Sequence, residues 1–208
     1  PKNLTNFNNN LLFVTHSSKI WRFENSGSTV SQIYDSGSQS KIIDNLIVIN
    51  NELFFLVNKP NESGLYKISS NFSITKIVSQ NVDLVSKLEG IEFENSFYFA
   101  LNTGLNKYNF SNGINSLVSN VKGSNFTKAF NKVYFKGNEN GESEIWQINI
   151  GDTVQKAFDI NPGSGSSNPQ NFTLSSRNLF FSAYNPAFGT ELYKITDCPF
   201  NKSISTDH

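Results

Sequence analysis

A short apolar run, with an aromatic second residue in four of its copies, recurs five times along the chain: IWRF (Ile20 to Phe23), LYKI (Leu65 to Ile68), LNKY (Leu105 to Tyr108), IWQI (Ile145 to Ile148) and LYKI again (Leu192 to Ile195). A second burst precedes each one: LLFV from Leu11, LFFL from Leu53, FYFA from Phe97, VYFK from Val133 and LFFS from Leu179. These second bursts start 42, 44, 36 and 46 residues apart. A recurrence at this interval means that one supersecondary unit is repeated, and that each copy relies on its neighbours to cover its apolar faces.

Ahead of each burst lies a third run ending in a polar junction: NLTNFNN, NLIVINN, LEGIEFEN, NFTKAFNK and NFTLSSRN. Asparagine tolerates positive φ at little cost, so these junctions suit tight hairpins. A fourth run follows in four copies, as STVSQIYD from Ser28, SITKIV from Ser73, INSLV from Ile114 and TVQKAF from Thr153. The fifth copy lacks one; either the tail from Asn201 to Ser205 supplies it or that copy stays three-stranded. The runs are short, joined by turns and show almost no helical period, so each copy reads as four β-strands.

Four antiparallel strands repeated at this spacing predict an all-β fold, a five-bladed β-propeller of four-stranded antiparallel blades. The whole chain, residues 1–208, is expected to form a single propeller domain. The copies run at about 3–37, 41–82, 84–122, 124–162 and 168–197, with a C-terminal tail at 198–208. Alternation along the bursts sends Leu53 and Phe55, and likewise Phe97 and Phe99, to one side of their sheets, with Phe54 and Tyr98 facing the next blade. The aromatic of each run, such as Trp146 or Tyr193, is expected to pack between blades.

The last copy, DINPGSGSSNPQNFTLSSRNLFFSAYNPAFGTELYKITD from Asp159 to Asp197, resembles the bacterial ELWxxDGT-type repeat. In that repeat a turn of Asp-Ile-x-Pro-Gly, a Leu-Thr strand, an LxF strand and GxELW follow in order. Tyr193 stands here for the tryptophan, and ITD lacks the following Gly-Thr; upstream, the hydrophobic skeleton with Trp21 and Trp146 is what remains. The resemblance implies a propeller in a secreted or surface-exposed bacterial protein, with repeated residues that are structural. It implies no catalytic activity.

Composition narrows the function classes. Seventeen basic residues balance 17 acidic ones, and no Lys/Arg cluster stands out, so the usual source of nucleic-acid affinity is missing. No apolar run approaches the roughly 18 residues of a membrane-spanning helix. The chain begins at Pro1 and contains no methionine, as a processed or truncated protein would.

Catalytic constellations are sparse. His16 and His208 lack a supporting motif, and Cys198 has no partner cysteine. Glu62, Glu139, Glu142 and Glu191 fall at loops, but none is singled out as half of a hydrolytic carboxylate pair. Asp159-x-Asn161-x-Gly163 presents two oxygen-bearing side chains before a glycine, a weak calcium candidate that also reads as a blade-crossing turn. No cofactor motif is present, and no other metal site is expected.

What remains is a loop face. The connections Asn58 to Gly64, Gly137 to Ser143 and Tyr184 to Thr190, with the crossings around Gln80 to Val85 and Gly163 to Pro169, are expected to open on one side of the disc. Asn138, Glu139, Asn140, Tyr184, Asn185 and Phe188 are the binding candidates on it. The expected function is a non-enzymatic interaction or scaffold module of a secreted or envelope-associated bacterial protein, with a protein partner. A lectin propeller binding a glycan is the alternative, and a hydrolase the second alternative.

Overall fold

Turn chemistry sets the strand boundaries. In a computed structural model of the protein, residues 1–15, 18–27, 29–37, 41–42, 46–58, 63–78, 87–197 and 203–206 are described. They form five antiparallel sheets and no helix. The first holds β1 (Lys2–Phe7), β2 (Asn10–Thr15), β3 (Lys19–Glu24) and β4 (Thr29–Asp35). The second holds β5 (Lys41–Ile42), β6 (Ile47–Ile49), β7 (Glu52–Asn58), β8 (Gly64–Ile68) and β9 (Ile74–Lys76). Its first row is broken, because β5 and β6 pair with different ends of β7.

The third sheet holds β10 (Gly90–Phe93), β11 (Ser96–Leu101), β12 (Gly104–Asn109) and β13 (Asn115–Ser119). The fourth holds β14 (Lys122–Ala129), β15 (Lys132–Glu139), β16 (Glu142–Ile148) and β17 (Val154–Phe158). The fifth holds β18 (Gln170–Ser175), β19 (Asn178–Asn185), β20 (Gly189–Thr196) and β21 (Ser203–Thr206). The tail thus completes the fifth sheet, with Ile204 opposite Ile195. Strands are hydrogen-bonded in sequence order in every sheet, apart from the split row of the second.

Four of the five first-hairpin junctions carry left-handed asparagine as expected, in the pairs Asn8 and Asn9, Asn50 and Asn51, Glu94 and Asn95, and Phe130 and Asn131, all with φ between 47° and 60°, while the fifth uses Ser176 at 53°. Asparagine occupies the second position of each of the four pairs, where its short side chain makes that conformation inexpensive.

Residues cluster into two compact units. The first comprises residues 1–88 with 101–103 and 112–115, and the second 89–100, 104–111 and 116–208. In the first unit, Leu12, Val14 and Ile20 of the first sheet share a core with Leu53, Phe55 and Ile68 of the second. In the second unit, Phe93, Tyr98 and Leu105 of the third sheet pack with Val133, Phe135, Trp146 and Ile148 of the fourth. The other face of the fourth sheet, with Tyr134 and Ile145, packs with Leu179, Phe181, Tyr193 and Ile195 of the fifth.

One positional rule covers all three contacts. In these contacts the second residue of the burst and the first residue of the following run point forward, to the sheet that follows. The first and third residues of the burst and the second of the run point back. The backward pair is Phe13 opposite Trp21, Phe55 opposite Tyr66, Phe135 opposite Trp146 and Phe181 opposite Tyr193. Two of these pairs stack, Phe55 on Tyr66 at 5.5 Å and Phe181 on Tyr193 at 5.7 Å. In the third sheet Asn106 takes the aromatic position, buried, with its amide donating to the Gly104 carbonyl at 3.1 Å.

The forward face of the third sheet is also held by charge. The Tyr98 hydroxyl and the Lys107 ammonium both donate to Asp152, in the turn between β16 and β17. Burial works against the charge of Asp152, but these two hydrogen bonds outweigh it and hold the carboxyl below its ordinary range.

The indole of Trp146 needs an empty position beside it. A Cβ added to Gly137 would lie 2.3 Å from Trp146 Cδ1 and 2.8 Å from Val121 Cγ1. Gly137→Ala is therefore expected to cost about 1–3 kcal/mol through overpacking. Chemical denaturation checks this, and the cost should shrink when Trp146 is also cut to alanine, because the clash partner is then gone.

Candidate functional site

The crossing from the fourth sheet to the fifth, DINPGSGSSNP, has few apolar residues to anchor it, so its backbone groups need polar partners. Glu144, on β16 and 1% exposed, supplies them. Its carboxylate accepts from the Ile160 N–H at 3.1 Å, the Ser167 N–H at 2.8 Å and the Ser167 hydroxyl at 2.5 Å. The adjacent Ser143 adds two backbone links: its N–H donates to Ser166 Oγ at 2.9 Å, and its carbonyl accepts from the Asn168 N–H at 3.1 Å. Lys136 Nζ donates to Asn168 Oδ1.

The hairpin β19–β20 sits on this pinned crossing. The Tyr184 N–H donates to the Ser167 carbonyl at 2.7 Å. Asn185 Nδ2 donates to the Ile160 carbonyl at 2.7 Å, and its Oδ1 accepts from the Ala187 N–H at 2.9 Å. Above that base Tyr184 is 42% exposed and Phe188 59% exposed. Below it, burial pushes the Tyr193 phenol up, with the negative charges of Glu191 and Glu144 adding to the shift.

The crossing therefore brings two of the expected loops into one assembly, the β15–β16 hairpin through Ser143 and the β19–β20 hairpin through Tyr184. Their candidate side chains divide by role. Asn138 Nδ2 donates to Ser143 Oγ at 2.9 Å, bracing its own hairpin. Asn140 and Gly141 form the two-residue turn, at φ 54° and 91°, which explains the asparagine without a ligand. Glu139 is exposed opposite Glu142 at the hairpin end. Asn185 is committed to the backbone, while Tyr184 and Phe188 present apolar surface outward.

The calcium candidates are engaged separately. Asn161 is buried, with Nδ2 donating to the Ser166 carbonyl at 3.2 Å, while Asp159 lies 3.9 Å from Lys156 Nζ. Among the described residues no three His, Cys, Asp or Glu side chains are grouped to hold a cation. His16, Glu62, Cys198 and His208, most of the loop from Asn58 to Gly64 and the crossing from Gln80 to Val85 lie outside the described residues.

Glu144 is the residue that sequence reasoning passes over. Its signal is present in the repeat: Glu144 precedes Ile145-Trp146 as Glu191 precedes Leu192-Tyr193, the glutamate of ELW in both copies. An acid fixed at that position, followed by a Pro/Gly/Ser-rich crossing poor in anchors, marks a backbone clamp.

Four-stranded antiparallel sheets packed, within each unit, forward face to backward face are those of a β-propeller-type fold. No protein-family model matches the sequence, and no curated protein sequence matches it. Solved β-propeller structures do match in three dimensions. A prolyl endopeptidase aligns at a TM-score of 0.57 and 11% identity over 95% of this chain and 33% of its own. The N-terminal domain of Nup159 aligns at 0.53 and 12% identity over 99% of this chain and 61% of that one. Putative TolB from Agrobacterium tumefaciens aligns at 0.50 and 12% identity, over 99% and 79%. The chain thus spans a third of the endopeptidase's length, and at these identities the likeness is one of fold. No helix among the described residues is long and apolar enough to cross a membrane.

Proposed function

We propose that the chain is a non-enzymatic interaction module: one five-bladed propeller domain of the ELWxxDGT-repeat kind, holding a protein partner within a secreted or envelope-associated bacterial protein or complex. The observation that carries this reading is the pair Tyr184 and Phe188, about half exposed on a hairpin whose base is locked by Glu144 and Asn185. Exposed aromatics on a rigid mount suit protein recognition, because little ordering entropy is lost on binding and large apolar area is gained. The clustered acid–base chemistry of a hydrolase has no counterpart among the described residues of this hairpin.

Affinity capture from a bacterial envelope extract tests the reading. Tyr184→Ser combined with Phe188→Ser is expected to change stability by no more than about 0.5 kcal/mol per site, and to reduce the specifically captured partner at least tenfold. Asn185 is left intact because its amide holds the crossing. Capture that survives the double change, together with glycosidase or esterase turnover abolished by altering one loop carboxylate, would put the hydrolase in its place.

A glycan-binding reading has its own observation. In the first compact unit Asn6, Asn8, Asn9, Asn51 and Ser70 line a cleft beside Phe7 and Val48, an amide-rich surface suited to sugar hydroxyls. Glycan-array binding lost on Asn6→Ala would favour it.

A further inference from the structure

Asparagine is followed by glycine twice in the chain, at Asn112-Gly113 and Asn140-Gly141. Glycine puts no side chain beside its own backbone nitrogen, so in such a pair that nitrogen can approach the amide carbon of the asparagine before it. The two turns present the pair differently. Asn140 and Gly141, at φ 54° and 91°, are the centre of a two-residue hairpin whose flanking residues, Glu139 and Glu142, face each other across the ladder. The ladder fixes the backbone on both sides of that turn. Asn112 lies instead past the end of β12, and its Oδ1 accepts from the Ile114 N–H at 3.0 Å. This hydrogen bond closes a ring of atoms that includes Asn112 Cγ and the Gly113 nitrogen, so the side-chain carbonyl is folded forward along the chain, as in an Asx turn. Asn71, Asn109 and Asn185 also accept from the N–H two residues on, but they precede Phe72, Phe110 and Pro186. A phenylalanine crowds the attacking nitrogen, and proline has no N–H proton to lose. Asn112 and Gly113 are exposed and Ile114 is 59% exposed, so water and base reach the pair.

We propose that Asn112 is a site of spontaneous covalent modification, losing its side-chain amide through the Gly113 nitrogen, and that in the folded chain it does so ahead of Asn140. The Gly113 nitrogen gives its proton to solvent base and attacks Asn112 Cγ. The bond from Cγ to the amide nitrogen breaks, that nitrogen takes up a proton and leaves as ammonia, and a five-membered succinimide remains. Water then adds to either ring carbonyl and opens it, to aspartate or to isoaspartate, in which the chain runs on through the former side-chain carbon. Negative charge builds on Oδ1 during the attack, and the Ile114 N–H already donates there, as the donors of an oxyanion site do. The product carries a new carboxylate on the exposed connection between β12 and β13, and moves the balance of 17 basic and 17 acidic residues one unit toward acid.

Peptide mapping by mass spectrometry tests this on the full folded chain, incubated in near-neutral and in mildly alkaline buffer. Asn112 is expected to be converted at least tenfold faster than Asn140, to a mixture of aspartate and isoaspartate, and faster in the alkaline buffer because the attacking nitrogen must lose its proton. Gly113→Ala should slow conversion at Asn112 at least tenfold. In concentrated urea, where both pairs sit in loose chain, the two rates should converge. Conversion of Asn140 as fast as Asn112 in the folded chain, aspartate formed without isoaspartate, or a rate that Gly113→Ala leaves unchanged would each overturn the proposal. A preference for Asn112 that persists undiminished in urea would overturn it too, by assigning the difference to the flanking sequence and not to the turn.

Discussion

Replacing Trp146 with alanine is expected to destabilise the protein by about 3–5 kcal/mol, read as a lower denaturation midpoint at unchanged slope. The indole is 7% exposed and closes the core that joins the third sheet to the fourth. It lies opposite Phe135 across the ladder and fills the space that Gly137 leaves empty. Truncation therefore removes transfer free energy and opens a cavity between sheets that strand hydrogen bonds hold in place, so collapse around it is incomplete. Its Nε1 is buried without a hydrogen-bond partner among the described residues. Trp146→Phe removes that donor while keeping most of the ring, so it is expected to lose much less than the alanine variant. A loss under about 1 kcal/mol for alanine would mean that the ring is not at a sheet-to-sheet contact.

Glu144→Ala is expected to cost a similar amount by a different route. Three donors converge on this carboxylate from the Ile160 and Ser167 backbone and the Ser167 hydroxyl, and Ser167 itself is 0% exposed. Each buried donor left unsatisfied costs about 1–3 kcal/mol, and partial hydration recovers some of that, giving about 3–5 kcal/mol in total. Glu144→Gln keeps one acceptor oxygen but turns an amide N–H₂ toward the remaining donors, so its loss should be intermediate. Amide hydrogen exchange separates the two mechanisms: the alanine variant should speed exchange at Ile160 and Ser167 first, whereas loss of Trp146 should act first on β11 and β16. Unchanged protection at Ile160 and Ser167 would show that the clamp is not what holds the crossing.

The apolar skeleton is the legible part of the fold. Bursts such as LFFL and VYF are apolar at every position, as strands buried on both faces are, and strand alternation puts Tyr98 of the third sheet in the core it shares with the fourth. The junction asparagines are equally readable, because few residues adopt positive φ cheaply. The strand at Ser203–Thr206 is harder to see, since KSISTD offers one apolar side chain and an edge strand is held by ladder hydrogen bonds that need none. The split first row of the second sheet leaves no compositional mark either.

At the candidate site the difficulty is chemical. Asn138, Asn140 and Asn185 look alike in sequence as polar loop residues, yet one braces a hairpin, one makes a turn and one anchors a crossing. Only the distribution of unpaired backbone groups separates those roles. Glu144 is obscured for the same reason: its partners are main-chain N–H groups, which every residue but proline carries.

The strand order within each sheet has a kinetic corollary. Because each strand outside the split row of the second sheet pairs with the one just made, a sheet can zip up from its own hairpins as the chain emerges, with short loops to close. The asparagine junctions then act as nucleation points, one per first hairpin in four of the five sheets, biasing the chain toward the correct register before any apolar face is covered. Folding should accordingly be limited by the docking of finished sheets on one another, and changes at the backward aromatics should slow that step while leaving hairpin formation untouched.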